Sequence, residues 1–409
     1  MASKWTHTSQ SHQLVLEISN NYSITPQGAL KYNIVAEYYL DALFGFIKHT
    51  HKLDHETLFS IITSTMESCY RKNKLSKPDE VLLEFDKACN QKSKKQEPYR
   101  IITEINIKNI YSIPRITINN CIITFYNTLP QKYKKSRDAH FLLHPDINNP
   151  KLESYTSVCI STKAANKDHA MDTAIEALDI LRALFQIGFK KHRSITASAK
   201  EFEYPTHSIV QCGKFHSIHS PNGKLLGSEY WINLSFQEKK MATSLKRPES
   251  TYEHLKKAIQ RLKACSYSSH TLQALTNYVD AVDRADPELR FMKLWSTLEK
   301  LTMCDDTNNV VKRASFFYEE RALHQAILLS LRNSRNSHIH GGQPPINIEL
   351  KNYQLCSFIE HMLNFFISNP FRYSTTDEIR SLLSLPTQAQ DLKTQIATLK
   401  TVQKFIGNA

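Results

Sequence analysis

The sequence predicts two modules of different class: a mixed α+β module over residues 1–245, then an all-α helical bundle over 250–409. Three observations carry this. Apolar and polar residues alternate, as in half-buried strands, over 100–107 and from 116 through 125. Strand signals cease near Ser250, beyond which apolar residues recur at helical spacing. Between the two regions lies a polar stretch, 239–253, containing Arg247-Pro248, where the boundary is placed.

Taken in order, residues 29–49 read as a helix, with Tyr32, Val35, Tyr39 and Leu43 at helical spacing, and 56–71 repeats that character. The two alternating runs follow as strands, and 154–161 reads as another. A long helix over about 168–189 places Ala174, Leu178, Leu181 and Phe185 on one face. Pro221-Asn222-Gly223-Lys224 is a hairpin turn, since Asn-Gly tolerates positive φ. Its strands would be 208–212 or 216–219, and 230–236. The C-terminal helices are expected at 252–265, 269–285, 287–303, 311–320, 322–340, 353–368, 376–384 and 388–406. Asp286-Pro287 starts one of them, with Asp as cap and Pro in the first turn, and Gly341-Gly342 before Pro344-Pro345 stops another.

Composition limits the function classes. At 409 residues and 41% hydrophobic the chain can bury a substantial core. No apolar run of membrane-spanning length occurs, and the N-terminus lacks the apolar stretch of a signal peptide, so a cytoplasmic protein without a membrane partner is expected. Eight scattered cysteines, none in a Cys-x-x-Cys pair, argue for reduced and mostly buried thiols instead of a disulfide scaffold or zinc ribbon. A formal charge of +13, spread over both halves, permits polyanionic partners such as RNA.

Chemistry concentrates in Arg332-Asn333-Ser334-Arg335-Asn336-Ser337-His338-Ile339-His340-Gly341, after the apolar run Ala326-Ile327-Leu328-Leu329. Arginine holds phosphate and histidine moves a proton near neutral pH, so together they suit phosphodiester chemistry without a metal. On one helix Arg332, Asn336 and His340 share a stripe, whereas Arg335 and His340, five apart, point roughly 140° from each other. Three solutions are a long reach by Arg335, a loosened last turn before Gly341, or a second copy packed across a two-fold axis. His340 at the helix C-terminus sits where the dipole favours the imidazolium.

Arg335-Asn336-Ser337-His338-Ile339-His340-Gly341 resembles the RNxxxHG signature of HEPN domains (higher eukaryote and prokaryote nucleotide-binding). Upstream, the segment from Arg290 to Leu301, containing Trp295-Ser296-Thr297-Leu298-Glu299-Lys300-Leu301, is similar to the W-x-x-L-E-x-L helix of the ApeA-like branch of that family. The resemblance covers roughly 265–371. It implies a dimerising helical bundle and a metal-independent endoribonuclease without cofactor, of the kind found in antiphage, abortive-infection and toxin systems. Carried onto this chain, His340 would be the acid/base, Arg335 the phosphate clamp and Asn336 an orienting amide. Arg332 and His338 would contribute to substrate binding, and Glu299 would support an arginine. Implied partners are RNA, a second copy through the C-terminal module, and a viral trigger or an antitoxin. Arg332-Asn333 with His338 also satisfies the looser spacing; only Arg335/His340 is followed by Gly, and that register is preferred. The dimer interface is expected on the 332–340 helix face and near Phe358, Met362 and Phe365.

Plainer readings stand beside these. The Arg/His segment could be a polar helix end whose cations neutralise the last carbonyls, which leaves a non-catalytic module binding a nucleotide, RNA or a protein. Glu299 could form a structural salt bridge with Arg332 or Arg335, while Trp295 reads as core. His49-x-His51-x3-His55 and His216-x2-His219 are weak metal patterns, the former read as solvated, and His338-x-His340 could chelate adventitious metal; no metal site is expected. The basic runs 132–137 and 190–193 could track a phosphate backbone, although such runs are commonly solvated surface. Asp305-Asp306 reads as loop, and nine glycines leave little room for a phosphate-binding loop.

Overall fold

Short side chains that satisfy the first free N–H groups of helices set several helix starts in this chain, at Asn33, Asp54, Asp286, Asp306 and Thr375. The computed structural model describes residues 2–51, 53–143, 155–188, 206–227, 231–236, 243–245 and 247–407. The basic run 190–193, Tyr230 and residues 239–242 and 246 of the 239–253 stretch lie outside the described residues, as do the ends of two predicted elements, Ser154 and Phe189. Contact density groups the chain into two units, and each is taken by itself.

The first comprises Met1–Ile101, Ile160–Ala174 and Ile218–Ser228. Its N-terminal part has helices Thr8–Asn20, Ile34–Gly45, His55–Arg71 and Pro78–Lys94 around a core that includes Val15, Ile18, Leu43, Ile62, Met66 and Phe85. The helix expected over 29–49 is shorter than predicted. Asn33 caps it, accepting from the Ala36 N–H at 3.1 Å, so Leu30–Tyr32 is left extended. That strand pairs antiparallel with Tyr22–Ile24, setting Tyr22 opposite Tyr32. Asp54 caps the next helix through the Thr57 N–H at 2.8 Å. The helices Thr8–Asn20 and Pro78–Lys94 were not expected. The second begins with Pro78 and carries Asp79 and Glu80 in its first turn, a start signal present in the sequence.

The second unit comprises Ile102–Cys159, Ile175–Ser217 and Glu229–Ala409. A six-stranded sheet, most but not all of whose residues fall in this unit, has the order Trp231–Ile232, Phe215–His219, Glu97–Ile105, Thr156–Ala164, Cys121–Tyr126, Ile116–Ile118. The last two strands form a hairpin across Asn119-Asn120, both at positive φ, 46° and 63°, which splits the run expected to extend from 116 through 125. Of the strands proposed around Asn222-Gly223, Phe215–His219 and the short Trp231–Ile232 form and pair antiparallel, and residues 208–212 contribute only a single bridge, Ile105 to Cys212. The long helix spans Lys167–Gly188.

From Pro248 onward every regular element is helical: Pro248–Ala264, Ser268–Asp283, Pro287–Thr302, Thr307–Ala314, Arg321–Gly341, Ile348–Ser368, Thr376–Leu383 and Ala389–Phe405. The centre of this region is Pro287–Thr302, which packs against Ser268–Asp283 and Ile348–Ser368 and buries Phe291, Leu294, Trp295 and Leu298. Asp286 caps it, accepting from the Glu288 and Leu289 N–H groups at 2.8 Å each. The chain is thus mixed α/β followed by helices, with fourteen α-helices among the described residues.

The compact units do not follow the single cut expected between 245 and 250, because residues 102–159 and 175–217 group with the C-terminal helices. Two buried arginines link part of 175–217 to the C-terminal helices. Arg182 on the long helix donates to both Asp283 carboxylate oxygens at 2.7 and 2.8 Å and to the Val210 carbonyl at 2.9 Å. Arg290, fully buried, donates to Thr206 Oγ1 at 2.8 Å and pairs with Glu349 at 3.0 Å. A buried guanidinium left without these acceptors would cost several kcal/mol, roughly 3–5 for a broken buried pair.

Candidate active site

The site begins with Trp295, buried in the Pro287–Thr302 helix, whose ring must find an acceptor for its one N–H. It donates to Glu299 Oε1 at 2.7 Å, one helical turn along. The same oxygen lies 3.6 Å from Arg335 Nη2 on the Arg321–Gly341 helix. Arg335 in turn donates to Asn336 Oδ1 at 3.2 Å, and its Nε is buried with no hydrogen-bond partner. Trp295, Glu299, Arg335 and Asn336 therefore form one chain of contacts, and of the two arginines considered for Glu299 it is Arg335 that pairs with it.

Arg332 is turned elsewhere. It donates to Asn308 Oδ1 and to its neighbour Asn333 Oδ1, the latter at 3.3 Å. Asn308 stands in the first turn of Thr307–Ala314, whose cap is Asp306, so the Asp305-Asp306 pair is a helix start. His338 faces Glu288, with Nδ1 3.7 Å from Oε2. His340 is exposed and among the described residues has no hydrogen-bond or ionic partner. Neither Glu288 nor Asn308 was foreseen; each meets the segment only through packing of distant helices, which leaves no trace in local spacing.

The helix is regular through Gly341, and Gly342 closes it at φ +62° with its N–H on the His338 carbonyl at 3.0 Å. The loosened last turn that could have brought Arg335 towards His340 is absent. Arg335 lies on the side facing Glu299, while His340 shares the solvent side with Ala322, Ala326, Leu329, Asn333 and Ser337, all exposed. Only Leu328 and Leu331 of this 21-residue helix are buried. Phe358 and Met362, near which the interface was expected, are both buried in this chain, Phe358 edge-on to Tyr318 at 5.4 Å. Phe365 is half-buried, its ring 4.2 Å from Phe317.

Other sequence candidates resolve into structure. The run 132–137 belongs to the helix Gln131–Leu143, where Tyr133 and Arg137 are buried. Arg137 donates to the Ile102 and Phe215 carbonyls at 3.1 and 3.2 Å and is not available to a phosphate backbone. His51 is not solvated; its Nε2 lies 2.7 Å from Asp86, while His55 stacks edge-on against Phe44 at 4.9 Å. His216 and His219 are buried, the first bonded to Thr103 Oγ1 at 2.7 Å. Among the described residues no group of three or more His, Cys, Asp or Glu is placed to hold a metal ion, and no helix is long and apolar enough to cross a membrane. All eight cysteines are free, six of them buried.

No family model matches the sequence, and comparisons with curated proteins and with solved structures return no match.

Proposed function

We propose that the helical region is a HEPN-type module acting as a metal-independent endoribonuclease, an antiphage, abortive-infection or toxin effector. The observation that carries this reading is Glu299, pinned by Trp295 and set against Arg335, beside a helix end that presents His340 to solvent. Arg335 keeps part of its side chain at the surface, 23% exposed, where a phosphate would compete with Glu299 and Asn336 for its guanidinium.

In the proposed reaction His340 takes the proton from an RNA 2′-hydroxyl as that oxygen bonds to the adjacent phosphorus. The bond from phosphorus to the 5′-oxygen breaks, and an imidazolium returns a proton to the leaving oxygen. Arg335 stabilises the charge that grows on the phosphate, and Asn336 orients it. Products are a 2′,3′-cyclic phosphate and a 5′-hydroxyl. Arg335 and His340 face different sides of one regular helix, so this reading requires two copies, each lending residues across a two-fold axis. The exposed Ala322–Ala326–Leu329 side, with Leu329 at 39% exposure, is the apolar surface offered to a twin. RNA is the substrate, and a viral trigger or an antitoxin would control it through the N-terminal module.

The experiment is incubation of the purified chain with total RNA in EDTA. Cleavage that persists, spares DNA and is blocked by a 2′-deoxy substitution at the scissile nucleotide supports the reading. A Mg²⁺ requirement or cutting of the deoxy substrate would rule out the mechanism. A second reading has its own support, since Arg335 and His338 both pair with carboxylates of the same chain, Glu299 and Glu288. On that reading the module binds a nucleotide, RNA or a protein without cutting, and tight RNA binding with no cleavage under any condition would favour it.

A further inference from the structure

The N-terminal unit carries a cavity of about 450 Å³ whose walls are unlike the rest of this basic chain. The hairpin Tyr22–Ile24/Leu30–Tyr32 sets Tyr22 and Tyr32 opposite each other, with ring centroids 5.6 Å apart and planes 42° apart. Tyr38 and Phe59 add two more rings to the lining. Tyr22 is fixed from behind: Tyr70 stacks edge-on to it at 5.4 Å and donates its hydroxyl to the Tyr22 carbonyl at 2.8 Å. Burial pushes the Tyr22 phenol up to about 12, so that wall is a neutral ring.

Two carboxylates complete the lining, Glu37 and Asp41, one turn apart on the Ile34–Gly45 helix. Both are exposed, and neither has a hydrogen-bond or ionic partner among the described residues. No cation of the described chain stands over Tyr22, Tyr32 or Tyr38. Ring faces carry negative potential and attract alkylated ammonium groups, whereas they offer nothing to an anion. Carboxylates at the same cavity reinforce that preference, and their freedom from internal partners leaves the charge unspent.

We propose that this cavity binds an organic ammonium group, in which the cation sits among the tyrosine rings with Glu37 and Asp41 as counter-charges. The group could come from a free small molecule or from an alkylated lysine side chain of a partner; the recognising chemistry is the same. This inference is independent of the ribonuclease reading, because every residue it uses lies in the N-terminal unit.

The test is calorimetric titration of the full chain with choline and with its neutral isostere, the alcohol in which a tert-butyl group replaces trimethylammonium. Choline should bind at least about tenfold more tightly than the isostere. Tyr38→Ala, and separately Glu37→Gln combined with Asp41→Asn, should each weaken choline about tenfold while circular dichroism stays unchanged. Tyr38 is 66% exposed, so its replacement leaves the core intact. A short trimethyllysine peptide that binds more tightly than choline would identify a partner side chain as the source, and the reverse order a free ligand. Equal affinity for choline and isostere, undiminished binding in the variants, or no binding of either cation would overturn the proposal.

Discussion

Histidine 340 and arginine 335 carry the sharpest expectations at the residue scale. His340→Ala and Arg335→Ala should each lower RNA cleavage by at least about a hundredfold while the protein stays folded. His338→Ala should be milder, since its ring faces Glu288 within the chain. Equal loss from His338→Ala with an active His340→Ala would move the register to Arg332/His338. Glu299→Gln adds a diagnostic. It keeps an acceptor for the Trp295 N–H but removes the charge opposite Arg335, so cleavage should fall less than in Arg335→Ala. A different residue governs pH stability. Burial first, then the nearby Arg137 and Arg182 charges, lower the His216 pKa to about 3. Between that value and the unfolded value of about 6.5, the unfolded chain binds a proton that the folded one refuses. Stability is therefore lost as pH falls below about 6.5, by up to about 1.4 kcal/mol per pH unit. His216→Asn should flatten the fall in urea midpoint between about pH 7 and about pH 5; identical slopes would refute the assignment.

At the scale of elements, the Arg321–Gly341 helix is the one whose surface calls for a partner. If it packs on its twin, Ala326→Glu should yield a monomer by light scattering and abolish cleavage together. Retained activity in that monomer would show that one chain suffices. The eight C-terminal helices were legible because their periodicity and their punctuation agree: Asp286-Pro287 starts where the cap bonds form, and Gly342 stops where φ is positive. The 29–49 region was less legible because Leu30-Lys31-Tyr32 satisfies helical spacing with Val35 and Tyr39, and only pairing with Tyr22–Ile24 decides for strand. The Thr8–Asn20 helix lacks a side-chain cap and any acidic first turn, so nothing local announced it. In the candidate site, the Glu299 contact could be anticipated from its placement beside Trp295. The pairing of Arg332 with Asn308 could not, because it depends on how Thr307–Ala314 folds back onto the later helix.

For the whole molecule, the buried Arg182 and Arg290 tie the long helix and Thr206 to the C-terminal helices, and those ties are sensitive to loss of an acceptor. The six shaded thiols offer a way to follow them. Cys69 and Cys89 belong to one unit, and Cys121, Cys159, Cys212 and Cys356 to the other. Burial raises the Cys89 and Cys212 thiols to about 12, so neither reacts as thiolate while its surroundings stay closed. The half-exposed Cys265 and Cys304 should label at once in native buffer. With increasing denaturant, the order in which the remaining six acquire an alkylating tag becomes a map of opening. If the first pair labels at a lower concentration than the other four, the chain comes apart in two steps; simultaneous labelling would mean that it opens as one cooperative body.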